Sequence, residues 1–330
     1  MDEYPVIVNE EALTEAFIPT RLLHREGQIR ELERCLSPAL KNRHIENFFL
    51  MGTPGTGKTT IVRWILENYF KDISAYVNCW KYRTTHEVLK EILLSLQIPV
   101  HGREPTGELI KKFEKIIKGK KIIVCLDEVD RLETFDILYL LARNGCGLVL
   151  ISTLYHSLVK LAKRIRSSLA LTEIEFPTYK EDELFDILKD RIEFAFRPGA
   201  INYGFVKMAA SAAQGDARIA LEIVRKAGKK AEVRYLNEVG IRELEEAVSE
   251  TNRLKILYPI DKLNEHQKII YEILEKNRKM SSGCLYKEYK ICVSNPVVDR
   301  AYRKYMERMV ELGLVKVDGK GRWKRYEIIS

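Results

Sequence analysis

The sequence predicts an α/β chain: a parallel sheet covered by helices, then a helical segment, then a small basic module of helices and a hairpin. Three observations carry that prediction. Between residues 48 and 176, short apolar runs alternate with helical patterns. A G-x-x-x-x-G-K-[ST] loop joins the first run to the first helix. Residues 251–330 hold 18 Lys and Arg against 10 Asp and Glu, which equals the net charge of +8 of the whole chain.

The apolar runs are 48–51, 73–79, 122–127, 148–153 and 172–176. None alternates polar with apolar, as expected of strands covered on both faces. In residues 60–69, Val62, Ile65, Leu66 and Tyr69 share one helical stripe. After Pro177 the strand signal stops. Leu184, Ile187, Leu188 and Ile192, then Phe205, Met208, Ala209 and Ala212, read as amphipathic helices of a second domain. Residues 251–262, with Pro259, read as a connector. Helical patterns then cover 264–275, 281–289 and 295–312, followed by strands 314–317 and 323–328 around Asp318-Gly319-Lys320-Gly321. Three helices with a terminal hairpin make a winged helix. The expected domains are 1–178, an αβα core; 179–255, a helical lid; and 256–330, the winged helix.

A chain of 330 residues has ample length for two or three cores. No run of 18 apolar residues occurs, so no membrane span is expected. The acidic start, Met1-Asp2-Glu3-Tyr4, lacks the pattern of a signal peptide. The six cysteines show no C-x-x-C, which predicts reduced thiols in a cytoplasmic protein.

The loop chemistry is specific. Gly52-Thr53-Pro54-Gly55-Thr56-Gly57-Lys58-Thr59-Thr60 gives backbone N–H groups close access to phosphates, at the N-terminus of a helix whose dipole favours anions. Lys58 is predicted to reach the β- and γ-phosphates of ATP, or the β-phosphate of ADP, and the Thr59 hydroxyl to ligate Mg²⁺. In Ile122-Ile-Val-Cys-Leu-Asp-Glu-Val-Asp130 a buried strand ends in acids. Asp127 is expected on Mg²⁺ through water, and Glu128 on the attacking water. Gly215-Asp216-Ala217-Arg218 opens a helix in the second domain, from which Arg218 would reach the γ-phosphate.

In residues 295–312, Val298, Tyr302, Tyr305 and Met309 form the expected inward stripe, leaving Arg300, Arg303 and Lys304 for DNA. The hairpin adds Lys320, Arg322, Lys324 and Arg325. Such cations neutralise phosphates, and Arg also reads guanine edges.

These motifs together resemble the archaeal origin-recognition and cell-division-cycle replication initiators, AAA+ ATPases with a C-terminal winged helix. The resemblance rests on Pro19-Thr-Arg-Leu-Leu-His-Arg-Glu26 with Gln28, the phosphate loop, Tyr76-Val-Asn-Cys79, Leu126-Asp-Glu-Val-Asp130, Ser167-Ser-Leu169 leading to Phe176-Pro-Thr-Tyr179, and Gly215-Asp-Ala-Arg218. The Tyr-Val-Asn-Cys and His-Arg-Glu elements are narrower than general AAA+ signatures. It implies an initiator that binds ATP or ADP, recognises double-stranded origin DNA beside paralogous subunits, and helps load the replicative helicase. It also implies adenine near Ile18, Leu23, His24, Arg25 and Tyr179, Arg218 as the second sensor, and a DNA-contacting insertion near 97–108 with Arg103. Where the family usually places a sensor Asn, this chain has Ile151-Ser-Thr-Leu154, with Thr153 as the substitute. Arg164 and Arg166 are both candidates for the trans-acting arginine. Slow turnover with retained ADP is expected. Two other readings stay open: a signalling ATPase with a winged helix, and a clamp-loader-like assembly ATPase. DNA affinity of the C-terminal module separates the clamp-loader reading.

Overall fold

The computed structural model describes residues 5–102, 104–153, 169–261, 263–293, 295–319 and 323–328, with the backbone alone at 253–261 and 311. The chain divides into two compact units, Met1–Leu244 and Glu245–Ser330.

The first unit is built on a five-stranded parallel sheet: β1 (Asn47–Met51), β2 (Ser74–Asn78), β3 (Ile123–Asp127), β4 (Gly147–Ser152) and β5 (Leu171–Glu175), in the order β2-β3-β4-β1-β5. The helices between them are α1 (Glu26–Leu36), α2 (Lys58–Tyr69), α3 (Thr85–Ser95), α4 (Thr106–Ile117) and α5 (Asp136–Arg143). Successive strand residues point to opposite faces. Phe48 and Leu50 pack with Leu32, Ile61 and Ile65 on one side, while Phe49, Val124 and Leu126 pack with Leu89, Phe113 and Leu138 on the other. Fully burying each such side chain is favourable by about 1.5–3 kcal/mol. The expected strands agree with the observed ones to within a residue or two, and their parallel register sets the ends of β1, β3 and β4 side by side.

Helices α6 (Glu181–Ala195), α7 (Tyr203–Ala212), α8 (Ala217–Val233) and α9 (Ile241–Asp261) follow. The Asp216 carboxylate accepts from the Arg218 and Ile219 amides, so the Gly-Asp-Ala-Arg motif caps α8 as well as carrying Arg218. The start of the chain packs here: the Val8 amide donates to the Ala195 carbonyl, and Ile7 bridges to Phe196. Residues 251–261 of the expected connector are helical, as part of α9, and the division between the two units falls earlier, after Leu244. Pro259 falls in the last turn of α9, where it removes one backbone bond and leaves too little helix beyond it to break.

The second unit contains α10 (Glu265–Asn277), α11 (Ser282–Cys292), α12 (Asp299–Glu311) and an antiparallel sheet of β6 (Lys279–Ser281), β7 (Val315–Asp318) and β8 (Arg325–Ile328), ordered β6-β8-β7. That is a winged helix. Asn264 and Gln267 form a reciprocal cap at the start of α10. The last helix begins four residues later than its apolar pattern suggests. Pro296 disfavours helix before it, and the Tyr289 and Tyr286 hydroxyls bond the Val297 amide and carbonyl, holding the turn open. Val298 is therefore a cap residue, 72% exposed, and the buried stripe is Tyr302, Met306 and Met309.

Candidate functional site

The phosphate loop leaves β1 and enters α2 through two left-handed glycines, Gly55 (φ +72°) and Gly57 (φ +88°). Both are also crowded. A Cβ on Gly55 would lie 1.8 Å from Asp216 Oδ1, and one on Gly57 would lie 2.6 Å from the Tyr179 hydroxyl. Glycine is required there for backbone shape and for room. The Ala217 amide donates to the Gly55 carbonyl at 3.1 Å, so the α8 cap sits directly on the loop.

Lys58 curls back into the loop it terminates. Its Nζ donates to the Gly52 and Thr53 carbonyls, each at 2.8 Å, and to Thr56 Oγ1 at 3.3 Å. Burial pushes the ammonium pKa down to about 8, against the opposing pull of Asp127. At the end of β3, buried Asp127 accepts three bonds. Thr59 Oγ1 donates to its Oδ2 at 2.6 Å, the Tyr76 hydroxyl donates to the same oxygen at 2.8 Å, and the Glu128 amide donates to Oδ1 at 2.9 Å. Glu128 itself is left-handed (φ +53°), which ends the strand and turns it to line the cavity. Burial and then the Asp127 charge raise the Glu128 pKa, while Arg131, 3.6 Å away, lowers it. Two adjacent acids thus differ in kind. Asp127 is locked by donors, and Glu128 is half-exposed with its own pKa raised.

A cavity of about 250 Å³ gathers these groups. Its lining includes Pro54 through Thr60, Asp127, Glu128, Thr153, Tyr179 and Arg218, all named by the sequence pattern. Gly52 and Thr53 contribute through their carbonyls to Lys58. Of the expected adenine neighbours, Leu23, Arg25 and Tyr179 line the cavity, whereas Ile18 and His24 are not among the lining residues. The His24 ring instead meets Asp186 on α6 at 2.9 Å. Arg25 is a buried staple: it bonds the Thr56 and Pro177 carbonyls and stacks 3.7 Å over the Tyr179 ring, fixing the loop to the chain leaving β5. Thr153 stands exposed at the end of β4, while the preceding Ser152 is buried and donates to Asp130 at 2.7 Å. Arg218 lines the cavity and leans on two acids, Asp216 at 3.4 Å and Glu15 at 3.8 Å.

Tyr76, Ile187, Arg191 and Leu221 also line the cavity and were not predicted. Tyr76 comes from β2, Ile187 and Arg191 from α6, and Leu221 from α8. Arg103, Arg164, Arg166, Lys320 and Arg322 lie outside the described residues.

In the winged helix, Arg300, Arg303 and Lys304 are exposed on α12, and Lys324 is exposed at the hairpin. Arg303 pairs with Asp299 one turn earlier. Trp323, beside Lys324, is 84% exposed.

The AAA domain profile matches residues 43–161, and the Cdc6 AAA+ ATPase-type lid domain profile matches 185–249. An ORC1-type DNA replication protein 1 of Sulfurisphaera tokodaii is 31% identical, across 98% of this chain and 89% of that protein. The chain belongs to the ORC1-type DNA replication protein family. An ORC1-type relative from Thermococcus onnurineus is 32% identical over 97% of this chain and 86% of its own length. Among solved structures, the Aeropyrum pernix ORC1 protein in complex with DNA superposes with a TM-score of 0.74 at 30% identity, covering 99% of this chain and 94% of that one. The expected fold class, an AAA+ core with a helical lid, is thus the observed one. Among the described residues, no helix is long and apolar enough to cross a membrane.

Proposed function

We propose that this chain is an ATP-dependent replication initiator: a nucleotide switch that binds double-stranded origin DNA, assembles with paralogous subunits and helps recruit the replicative helicase at the chromosome. The observation that carries the reading is the cavity, where Lys58, Thr59, Asp127, Glu128, Thr153 and Arg218 converge from the loop, two strand ends and the lid.

The residues present fit both a nucleotide and Mg²⁺. The loop presents backbone amides, an ammonium and a helix N-terminus to an anion. Thr59 and Asp127 form an all-oxygen donor set with one carboxylate, which suits an ion that draws its remaining ligands from phosphates and water. Among the described residues no cluster of three or more His, Cys, Asp and Glu offers a richer metal cage. In this reading Gly52 to Thr60 hold the phosphates, Thr59 and Asp127 hold the metal, and Leu23, Arg25 and Tyr179 border the base. Bound ATP supplies the phosphoanhydride whose hydrolysis gives ADP and phosphate. Glu128 orients water and takes its proton, a role suited to its raised pKa. Thr153 and Arg218 sense the terminal phosphate. Thr153 is shorter than the Asn usual in the family, so weak turnover with retained ADP follows. Arg218, anchored on the α8 cap that touches Gly55, couples the phosphate to the lid.

DNA binding is supported by the exposed α12 and hairpin cations and by the relative from Aeropyrum pernix, which is in complex with DNA. The test is a footprint on the source chromosome in ATP and in ADP. Protection confined to origin sequence, and dependent on nucleotide, is the expected result. Affinity indifferent to sequence and nucleotide would return the protein to the clamp-loader-like or signalling class.

A further inference from the structure

Asp127 has more protein partners than a magnesium-facing carboxylate needs, and the extra one is a tyrosine. Tyr76 lies on β2, the edge strand, paired in register with Cys125 of β3, two residues before Asn78 pairs with Asp127. Both side chains therefore emerge near the same strand ends, and the Tyr76 hydroxyl reaches Asp127 Oδ2 at 2.8 Å. The same oxygen accepts from Thr59 at 2.6 Å, so two hydroxyls converge on it from opposite elements, α2 and β2. Oδ1 is turned the other way by the Glu128 amide. A carboxylate offers about four acceptor directions. Three of them are occupied by fixed donors, which leaves the group one orientation.

The phenol is built to stay a donor. Burial first, and the Asp127 charge second, hold its proton far above the usual tyrosine range. The Arg63 guanidinium, one turn beyond Thr59 on α2, sits 5.8 Å over its ring. What the hydroxyl adds to the ring is the bond to Asp127.

We infer that Tyr76 is a positioning residue for the metal-binding carboxylate: its hydroxyl replaces a water in the shell of Asp127 and fixes the rotamer that shares Mg²⁺ with Thr59. The inference rests on the Thr59–Asp127 metal reading above. Partners of metal-ligating groups typically contribute about 10–100-fold in metal affinity. Tyr76 touches Asp127 alone in that set, so its effect should be confined to the metal-dependent part of nucleotide binding.

The experiment is a calorimetric titration of ADP into wild type and Tyr76→Phe, each in Mg²⁺ and in EDTA, with thermal melts to confirm folding. The expected result is equal affinity in EDTA and about a tenfold smaller gain on adding Mg²⁺ for Tyr76→Phe. Placing Tyr76→Phe in an Asp127→Asn background should abolish the difference, because the hydroxyl acts through that carboxylate. Equal Mg²⁺ gains in wild type and Tyr76→Phe would overturn the inference. So would a loss of the same size in EDTA, since that marks general damage to the cavity. A wild type that gains nothing from Mg²⁺ would instead remove the metal reading itself, and this inference with it. Should Tyr76→Phe melt early, electron paramagnetic resonance of Mn²⁺ with ADP in wild type and Tyr76→Phe, both held below the melting transition, gives the second arm. An altered or weakened signal of bound Mn²⁺ in Tyr76→Phe is expected, and identical spectra would overturn the inference.

Discussion

The cavity of the first unit and the basic face of the winged helix commit their charges in opposite ways. Lys58, Asp127 and Arg25 are buried, each tied to backbone or hydroxyl groups before any ligand arrives. Arg300, Arg303, Lys304 and Lys324 stand in solvent, with a one-turn pair between Arg303 and Asp299 as the constraint on one of them. Buried charges have paid desolvation in advance, so a ligand that replaces their partners meets a rigid frame. Exposed cations contribute one at a time through screened attraction to phosphates. Single changes should therefore act steeply in the cavity and shallowly on the DNA face.

The steepest effect belongs to Lys58. Lys58→Ala should weaken ATP and ADP by about a hundredfold, as charge-assisted bonds to two phosphates are lost. Its melting temperature should hold or rise, because the variant also removes a desolvated ammonium. Calorimetric titration and a thermal melt on one sample check both signs. Weak binding together with a lower melting temperature would mean that Lys58 mainly props the loop through Gly52 and Thr53.

Next in size is Gly55→Ala. The new methyl meets the Asp216 carboxylate at 1.8 Å in a left-handed residue, and the cap of α8 must lift off the loop. Strained backbone of this type costs about 1–3 kcal/mol. A loss of nucleotide affinity near tenfold is expected, with faster protease cleavage of the lid helices even in saturating ATP. Undiminished protection would show that lid and loop are not coupled at Asp216.

A third effect titrates. The free Lys58 pKa of about 8 implies that its protonated fraction falls from about nine-tenths at pH 7 to about one-tenth at pH 9. Bound phosphates favour the charged form, so binding takes up a proton above pH 8. Nucleotide affinity should then drop about tenfold between pH 7 and pH 9. Titrations in buffers of different ionisation enthalpy measure the proton, and Lys58→Ala should show a flat profile over that range. A flat wild type would place the ammonium's titration well above the working range.

The same contrast explains what could be read from the sequence. Phosphate chemistry fixes residue types at fixed spacing, so Gly52 to Thr59 and Asp127-Glu128 were legible, and the parallel register of β1, β3 and β4 then brings them together. Ile187, Arg191 and Leu221 were not legible, since each reaches the cavity only through tertiary packing. His24 looked like a base contact by motif, but Asp186 on α6 claims its ring. In the winged helix, the stripe was anchored at Val298, while the Tyr289 and Tyr286 bonds to Val297 delay the helix to Asp299. Side-chain bonds to backbone leave no periodic trace.

The smallest effects distinguish contacts within the DNA face. Arg303 lies on α12, the third helix of the winged helix and in the proposed function the one that enters a major groove, and Lys324 lies at the hairpin beside Trp323. Each should lose one phosphate's worth of counterion release when cut to Ala, lowering the log-salt slope of DNA binding by about one unit. Specificity should separate them. A guanidinium that reads a base carries about 1–3 kcal/mol of discrimination, whereas an ammonium on the backbone carries none. Arg303→Ala should thus erode preference for origin over random duplex several-fold, and Lys324→Ala should weaken both duplexes alike. Losing the pair with Asp299 will not confuse the result, since an exposed pair of this kind contributes less than about 1 kcal/mol to stability. Fluorescence anisotropy with both duplexes at three or more salt concentrations gives slope and preference together. Equal loss on both duplexes for Arg303→Ala would make α12 a phosphate clamp and leave sequence reading to the hairpin or to the shape of the DNA.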